Sequence, residues 1–377
     1  MHIAYIIMTI LILLLIAVPY AVCSLVAWLL RQWPLWSFGF KWAGIALSVA
    51  VVLIFVIGFT WGWRHITVNR YRFAHSGVPS SFVGYKIVQM SDFHIGTLSG
   101  HPDVVQHIVD SVNALEPDLI VFTGDLVNMA ADEESEFHEI LRGFRAKDGV
   151  VSVMGNHDYM MYAHKHFGHQ SEANSIAANH ARLADIDRLQ AAQRDLGWHL
   201  LLNDNYVIRR GVDSTGRGID SLAIVGVEND GDGRHFPQYG DLTKAQHDLA
   251  EGTFKILLSH DPTHWRRRVL RETDIPLQLS GHTHAMQFTL FGWSPSSWMY
   301  PEWRGAYTYT STEEFAAGQK YHKGKCSHST MIDGVTGASG HQSTHRTLIV
   351  SSGIGEVGIP FRFGAWPEIV LITLDRP

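Results

Sequence analysis

Residues 150–158 read VVSVMGNHD, a short apolar run broken once by serine and followed at once by glycine, asparagine, histidine and aspartate. A β-branched run of this length, bounded by polar residues, reads as a buried strand. Four further stretches repeat the pattern: YKIVQMSDFH at 85–94, LIVFTGD at 119–125, FKILLSHD at 254–261 and LQLSGHTH at 277–284. Helical periodicity falls between them, near 102–115, 134–145, 175–196 and 262–270. Buried strands alternating with helices indicate an α/β layered domain. In such folds, sites are built where the strands end, and these five ends carry the charged and imidazole side chains.

The strand ends deliver Asp92, His94, Asp125, Asn156, His157, Asp158, His260, His282 and His284. One Asp-x-His pair is weak evidence, because a lone histidine is usually a satisfied core or loop residue. Five such ends in one chain point to a single site. Mixed oxygen and imidazole donors suit Mn, Fe, Zn or Ni better than a purely oxygen-loving ion.

This order of motifs resembles the calcineurin-like metallophosphoesterases over residues 85–285. Ser352-Gly353-Ile354-Gly355 and the stretch from Pro360 through Phe361, Arg362, Phe363, Gly364, Ala365, Trp366, Pro367 and Glu368 to Ile369 are similar to the tail of that superfamily's membrane-associated bacterial branch, often called YkuE-like. The resemblance implies a β-sandwich flanked by helices and two divalent metal ions of the Mn, Fe or Zn kind. It implies that Asp92, His94, Asp125 and His284 hold the first ion. Asp125 would bridge to the second, whose shell Asn156, His260 and His282 would complete. A bridging carboxylate suits two cations ~3.5–4 Å apart that clamp one phosphate, with water made nucleophilic between them for in-line attack. By the same resemblance His157 would not ligate metal. It would stabilise the transition state or protonate the leaving oxygen, with Asp158 orienting its ring. One departure stands beside the last motif: many members follow it with Gly-Gly-Gln, and here Ala285-Met286-Gln287 stands instead, which alters the pocket next to the ligands.

The chain has 377 residues and a net charge of −6, divided unevenly. Residues 1–91 hold six Lys/Arg and no Asp or Glu, which leaves 24 basic and 36 acidic residues in the rest, a balance of −12. An acidic body argues against nonspecific nucleic-acid binding. Residues 3–30 and 42–63 carry no charged side chain, and each run exceeds the ~20 apolar residues that cross a bilayer. Trp28, Trp33, Trp36, Trp42, Trp61 and Trp63 cluster at their ends, as interfacial aromatics do. A cleaved signal peptide is disfavoured, because the start has no basic region and no small-residue cleavage pattern. The reading is a two-span anchor over 1–64, linked by a turn at 31–41, and a metallophosphoesterase domain over 65–377. Three Lys/Arg after the second span, against two in the link, favour a cytoplasmic body at an inner or plasma membrane. Cys23 and Cys326 make no disulfide framework, and nothing in the sequence specifies an oligomeric state.

Residues 159–180 and 311–346 read as surface loops inserted in the body. The aromatic stretch 288–303 directly follows the last motif and reads as an apolar wall for an acyl chain, as a segment lying in the bilayer interface, or as loop packing on the core. His322, Cys326 and His328 are too few for a closed zinc site. Asp230-Gly231-Asp232-Gly233 reads as a surface turn, and His164, His166 and His169 as a solvated loop. The expected function is a membrane-anchored dimetal hydrolase of a phosphodiester or pyrophosphate, with a lipid as one candidate substrate. Some members of the superfamily cleave UDP-diacylglucosamine. The alternatives are an enzyme for soluble nucleotides or small phosphoesters, and a silent membrane scaffold, which the filled set of ligand positions disfavours.

Overall fold

The computed structural model describes residues 2–162, 176–211, 220–233, 236–310 and 345–377. The chain divides into two compact units: residues 1–63 with Phe361–Phe363, and the remainder.

In the first unit, α1 (His2–Leu29) and α2 (Pro34–Thr60) are long and apolar enough to cross a membrane. Only 11% of each candidate span is buried, which sets them apart from the core helices of a soluble domain. α1 runs unbroken through Pro19. The link is shorter than the expected 31–41: α2 starts at Pro34, whose fixed φ and missing N–H suit a first helical position, so Lys41 lies inside α2. The two helices meet at Gly44, where a side chain would collide with Cys23 and Tyr20. Ser48 Oγ donates to Ile16 O (2.6 Å) and Ser37 Oγ to Ala27 O (2.8 Å), satisfying both hydroxyls. Phe361 packs on α2, its ring 5.7 Å from that of Phe55 and 5.2 Å from that of Phe59.

The second unit is two six-stranded sheets face to face. The first contains β1 (Thr67–Ala74), β2 (Lys86–Met90), β3 (Leu119–Phe122), β4 (Val150–Ser152), β5 (His199–Leu200) and β12 (Glu368–Asp375), in the order β1-β12-β2-β3-β4-β5. The second contains β6 (Asp204–Arg210), β7 (Asp220–Gly226), β8 (Phe254–Leu258), β9 (Leu277–Ser280), β10 (Gly305–Thr310) and β11 (His345–Val350), in the order β10-β11-β9-β8-β7-β6. β2 to β5 are mutually parallel, as are β7, β8, β9 and β11. This is the expected layered sandwich. Ile87, Val121, Val151, Ile224, Ile256 and Ile372 fill the space between the sheets. The opposite faces are covered too: Leu257 and Leu348 pack under Trp265 and Val269, and Phe122 lies against Trp198. Strands buried on both faces are apolar at nearly every position, which is why the sequence shows runs and not alternation.

Helical expectations fare unevenly. Residues 102–115 form Pro102–Asn113, and 175–196 form Ile176–Asp195. Residues 134–145 yield only the single turn His138–Leu141, and 262–270 a π-type turn at Trp265–Val269. The two expected insertions are trimmed at their edges: the helix from Ile176 occupies the end of 159–180, and β11 begins within 311–346. Their remaining parts, 163–175 and 311–344, lie outside the described residues, with the histidine group at 164–169 and the His322, Cys326, His328 group. The expected surface turn at Asp230 is corrected. Its carboxylate is buried and accepts from Arg267 (2.7 Å), close to the buried His264 (3.5 Å), because basic residues of the 265–269 turn need a counter-charge.

Candidate metal centre

Parallel strands end at one edge, and this topology brings all five motifs together. β2, β3 and β4 are neighbours in the first sheet, and β8 and β9 are neighbours in the second. Just past their carboxyl ends lie Asp92 and His94, Asp125, Asn156, His260, then His282 and His284. All are buried except His282, which is almost so.

Two groups of donor atoms share Asp125. In the first, His94 Nε2 lies 3.0 Å from His284 Nε2, His284 Nε2 lies 3.3 Å from Asp92 Oδ1, and His94 Nε2 lies 3.6 Å from Asp125 Oδ2. In the second, His260 Nε2 lies 3.1 Å from both Asp125 Oδ2 and Asn156 Oδ1, and His282 Nδ1 lies 2.8 Å from Asn156 Oδ1. Donors held at about 2.1 Å by one ion stand roughly 3.0–3.4 Å apart, so these separations fit ligand edges. Asp92, His94 and His284 could hold one ion, and Asp92, Asp125 and His260 another. His94, Asp125 and His157 also come within reach of a common ion, so spacing by itself leaves His157 both roles.

The electrostatics favour cations. Burial works against the charge on Asp92 and Asp125, yet His284 and His260 outweigh it and hold both carboxyls below the usual range. Burial would lower His260, but Asp125 and Asp92 push it up to about 10. His94 is driven down by burial and by His157. Among the described residues neither carboxylate pairs with Lys or Arg; their ion-pair partners are these histidines alone. Two buried carboxylates without a fixed cation are the environment a divalent ion stabilises.

The backbone is bent to aim these side chains. Asp92, His94, Asp125, His282 and His284 all have positive φ, between 40° and 74°. Non-glycine residues seldom adopt this region, and such strain collects at functional sites. The motif glycines allow the loops to stack. A Cβ at Gly155 would overlap Asp125 Oδ1, and one at Gly281 would overlap Ser91 Oγ and Asp92 Oδ2. The tail motif closes the same edge: Ile354 N donates to Ser91 O (3.1 Å) and Gly355 N to Asp92 O (2.8 Å). Glu368 fixes the tail by accepting from Ser352 N (2.9 Å).

Asp158 does something other than orient His157. Its carboxylate accepts four backbone N–H groups, from Asp125 (2.8 Å), Leu126 (2.9 Å), Val127 (3.2 Å) and Gly155 (2.9 Å). Burial and the charge of Asp125 push it up to about 7. With two donors at each oxygen, however, the ionised form is the one that fits. The His157 ring is oriented by the carbonyl of Asn128, which accepts from Nδ1 at 2.7 Å. A backbone carbonyl has no sequence signature, so residue types alone could not reveal it. Two tyrosines also escaped the motif reading. Tyr300 Oη lies 3.1 Å from His282 Nε2, and Tyr162 Oη accepts from Asn156 Nδ2 (2.9 Å) while its ring lies 4.3 Å from that of His157. Tyr300 was visible only as one of eight large apolar or aromatic residues in 288–303.

A family model described as calcineurin-like phosphoesterase matches residues 85–286. The chain is similar to YkuE of Bacillus subtilis, described as an uncharacterized metallophosphoesterase, with 28% identity over 316 residues, 82% of this chain and 85% of that one. It is 27% identical over 303 residues to a transmembrane protein with metallophosphoesterase domain from Danio rerio, covering 79% of this chain and 55% of that one. It is 28% identical over 282 residues to a UDP-2,3-diacylglucosamine pyrophosphatase, LpxG, of Chlamydia trachomatis, 66% of this chain and 79% of that one.

The stacking of loops at Gly155 makes a prediction. Gly155→Ala is expected to leave the circular dichroism spectrum unchanged while displacing Asp125, weakening Mn²⁺ binding by about 10–100-fold in calorimetric titration. Unaltered affinity in a folded variant would show that Asp125 tolerates displacement.

Proposed function

The chain belongs to the calcineurin-like phosphoesterase family and is a metal-dependent hydrolase of phosphoric esters; from that premise we propose that it is a membrane-anchored dimetal enzyme that cleaves a phosphodiester or pyrophosphate of a lipid. The observation that carries the dimetal reading is the pair of donor groups sharing Asp125. Asp92, His94, Asp125 and His284 would hold one ion, and Asp125, Asn156, His260 and His282 the other. Bound divalent ions supply Lewis acidity toward a phosphoryl oxygen and lower the pKa of water.

The remaining steps fall to the chain's own residues. With Nδ1 donating to Asn128 O, His157 keeps Nε2 for the site. As the imidazolium, protonated at both nitrogens, it would donate from there to a phosphoryl oxygen or hand the Nε2 proton to the leaving oxygen, ending as the neutral ring with Nδ1–H still on Asn128 O. Asp125 Oδ1 accepts from His157 N (2.8 Å), so the shared carboxylate is tied to the backbone that carries the imidazole. Asp158 holds the Asp125 and Gly155 loops at a fixed distance. Tyr300 fixes the ring plane of His282.

Two features support a lipid substrate: the apolar helices that precede the body and the name of the Chlamydia relative. The reading places both termini at the cytoplasmic face of an inner or plasma membrane, on the count of three Lys/Arg after the uncharged run 42–63 against two before it.

Three measurements test these proposals. Asp125→Asn and His260→Ala should abolish hydrolysis of an activated phosphodiester and lose metal, whereas His157→Ala should slow turnover by roughly 10²–10⁴ with metal content intact. Metal loss in His157→Ala would make it a ligand instead. When the detergent-purified full chain and Mn²⁺ are mixed with a bacterial lipid extract, phosphorylated lipids should disappear and turnover should fall as acyl chains are shortened. Equal turnover of soluble nucleotides would favour the alternative substrate class. A reporter enzyme fused at the C-terminus and active only outside the cell should stay silent.

A further inference from the structure

Beside the metal centre the body presents an apolar loop that water does not reward. Leu290 and Trp293 exchange two backbone hydrogen bonds, Leu290 N to Trp293 O (2.9 Å) and Trp293 N to Leu290 O (3.0 Å). The two residues at the tip are Phe291 and Gly292, both with positive φ (50° and 77°). A turn of this kind selects Asn, Asp or Gly at its first position. Here that position holds phenylalanine, which is 99% exposed. Trp298 is 78% exposed and stacks edge-on against Trp293, their ring centroids 5.3 Å apart. Met286 and Met299 are exposed beside them in sequence. A bulky residue at positive φ with its ring in solvent carries a backbone cost and an exposure cost, and contact with something apolar removes the second.

The loop is rigidly rooted. Ser294, fully buried, donates from Oγ to Ala285 O (2.6 Å), next to His284. Gln287 Nε2 donates to Val357 O (3.1 Å) and Ile359 O (3.2 Å). Ile359 is itself exposed, and two residues later the chain enters Phe361–Phe363, which belongs to the unit of the two apolar helices. At the start of the body, residues 61–66 are all that separates α2 from β1, a tether of at most about 20 Å, and Thr67 enters at the edge of Glu368 and the tail motif. The loop is thus bonded to the segment that continues into Phe361–Phe363. Tryptophan and phenylalanine are also the side chains that settle at a bilayer–water interface.

We infer that the loop around Phe291, Trp293 and Trp298 is a foot that inserts into the interface of the same bilayer the two helices occupy, holding the mouth of the metal centre against lipid. The inference rests on the reading of α1 and α2 as membrane spans, and its test separates the two. In a full-length chain carrying Cys23→Ser and Cys326→Ser, single cysteines are introduced by Phe291→Cys, Trp298→Cys, Leu14→Cys and Glu116→Cys. Leu14 lies within α1, and Glu116 is exposed near the start of β3, at the strand ends opposite the metal centre. Each variant is labelled with an environment-sensitive nitrobenzoxadiazole dye and placed in nanodiscs of phosphatidylethanolamine and phosphatidylglycerol. Labels at 291 and 298 should shift their emission to the blue and lose intensity when lipids bearing a spin label near the headgroup are included. The label at 116 should do neither. If the label at 14 reports lipid and those at 291 and 298 report water, the foot is overturned while the spans stand. If all four report water, both readings fall. A blue shift at 291 and 298 without lipid-borne quenching would mean that protein covers the loop, which also overturns the proposal. Either the 291 or the 298 site suffices should one variant fail to elute as the parent does.

Discussion

Everything at the strand edge depends on holding two buried carboxylates, Asp92 and Asp125, with their ligand partners at distances of about 3–4 Å. Like charges in a low-dielectric interior repel; His284 and His260 offset that repulsion, and backbone geometry fixes where the two carboxylates sit. Asp158 collects four N–H groups from the loops after β3 and β4, which locks those loops together. Glycine at 155 lets Asp125 lie directly against the neighbouring chain. Positive φ at five of the seven candidate ligands turns each side chain back over its own strand end. This arrangement costs free energy in the isolated chain, and a cation bound by the carboxylates returns it.

The sandwich is the platform that this geometry requires. Three adjacent parallel strands from one sheet and two from the other end at the same edge, so five loops converge without long excursions. The last strand, β12, lies between β1 and β2, and the loop before it runs beneath Asp92. The C-terminal tail is therefore part of the site's floor although it carries no ligand. Its Gly353 and Gly355 are small because Asp92 and Phe93 occupy the space a side chain would need.

Legibility in the sequence follows the range of the interactions. The strands were readable because burial on both faces leaves largely apolar runs, and the ligands because each stands within five residues of such a run. Roles that depend on backbone atoms were not readable. The partner of His157 is a carbonyl 29 residues earlier, and the partners of Asp158 are amides that any residue would supply. Tyr300 reaches His282 only after the chain has looped through 18 residues. At the helices, the second span was read as starting at Trp42 because Lys41 is charged, whereas Pro34 sets the first turn and Lys41 is carried within the helix. A charge near a helix end is tolerated when its long side chain can reach the interface.

The charge division bears on how substrate would arrive. The body after residue 91 carries −12, so its overall field repels a phosphoester at distance, and attraction is confined to the ions at the centre. Within about 8 Å at physiological salt that attraction is screened from bulk solution. A soluble anionic substrate would gain little from steering. A substrate confined with the enzyme to one bilayer needs none, because tethering raises its effective concentration without any long-range field. An acidic body is thus a handicap for an enzyme that collects phosphates from solution and a neutral trait for one that meets them at a membrane, and the acid-free N-terminal 91 residues are consistent with the second arrangement.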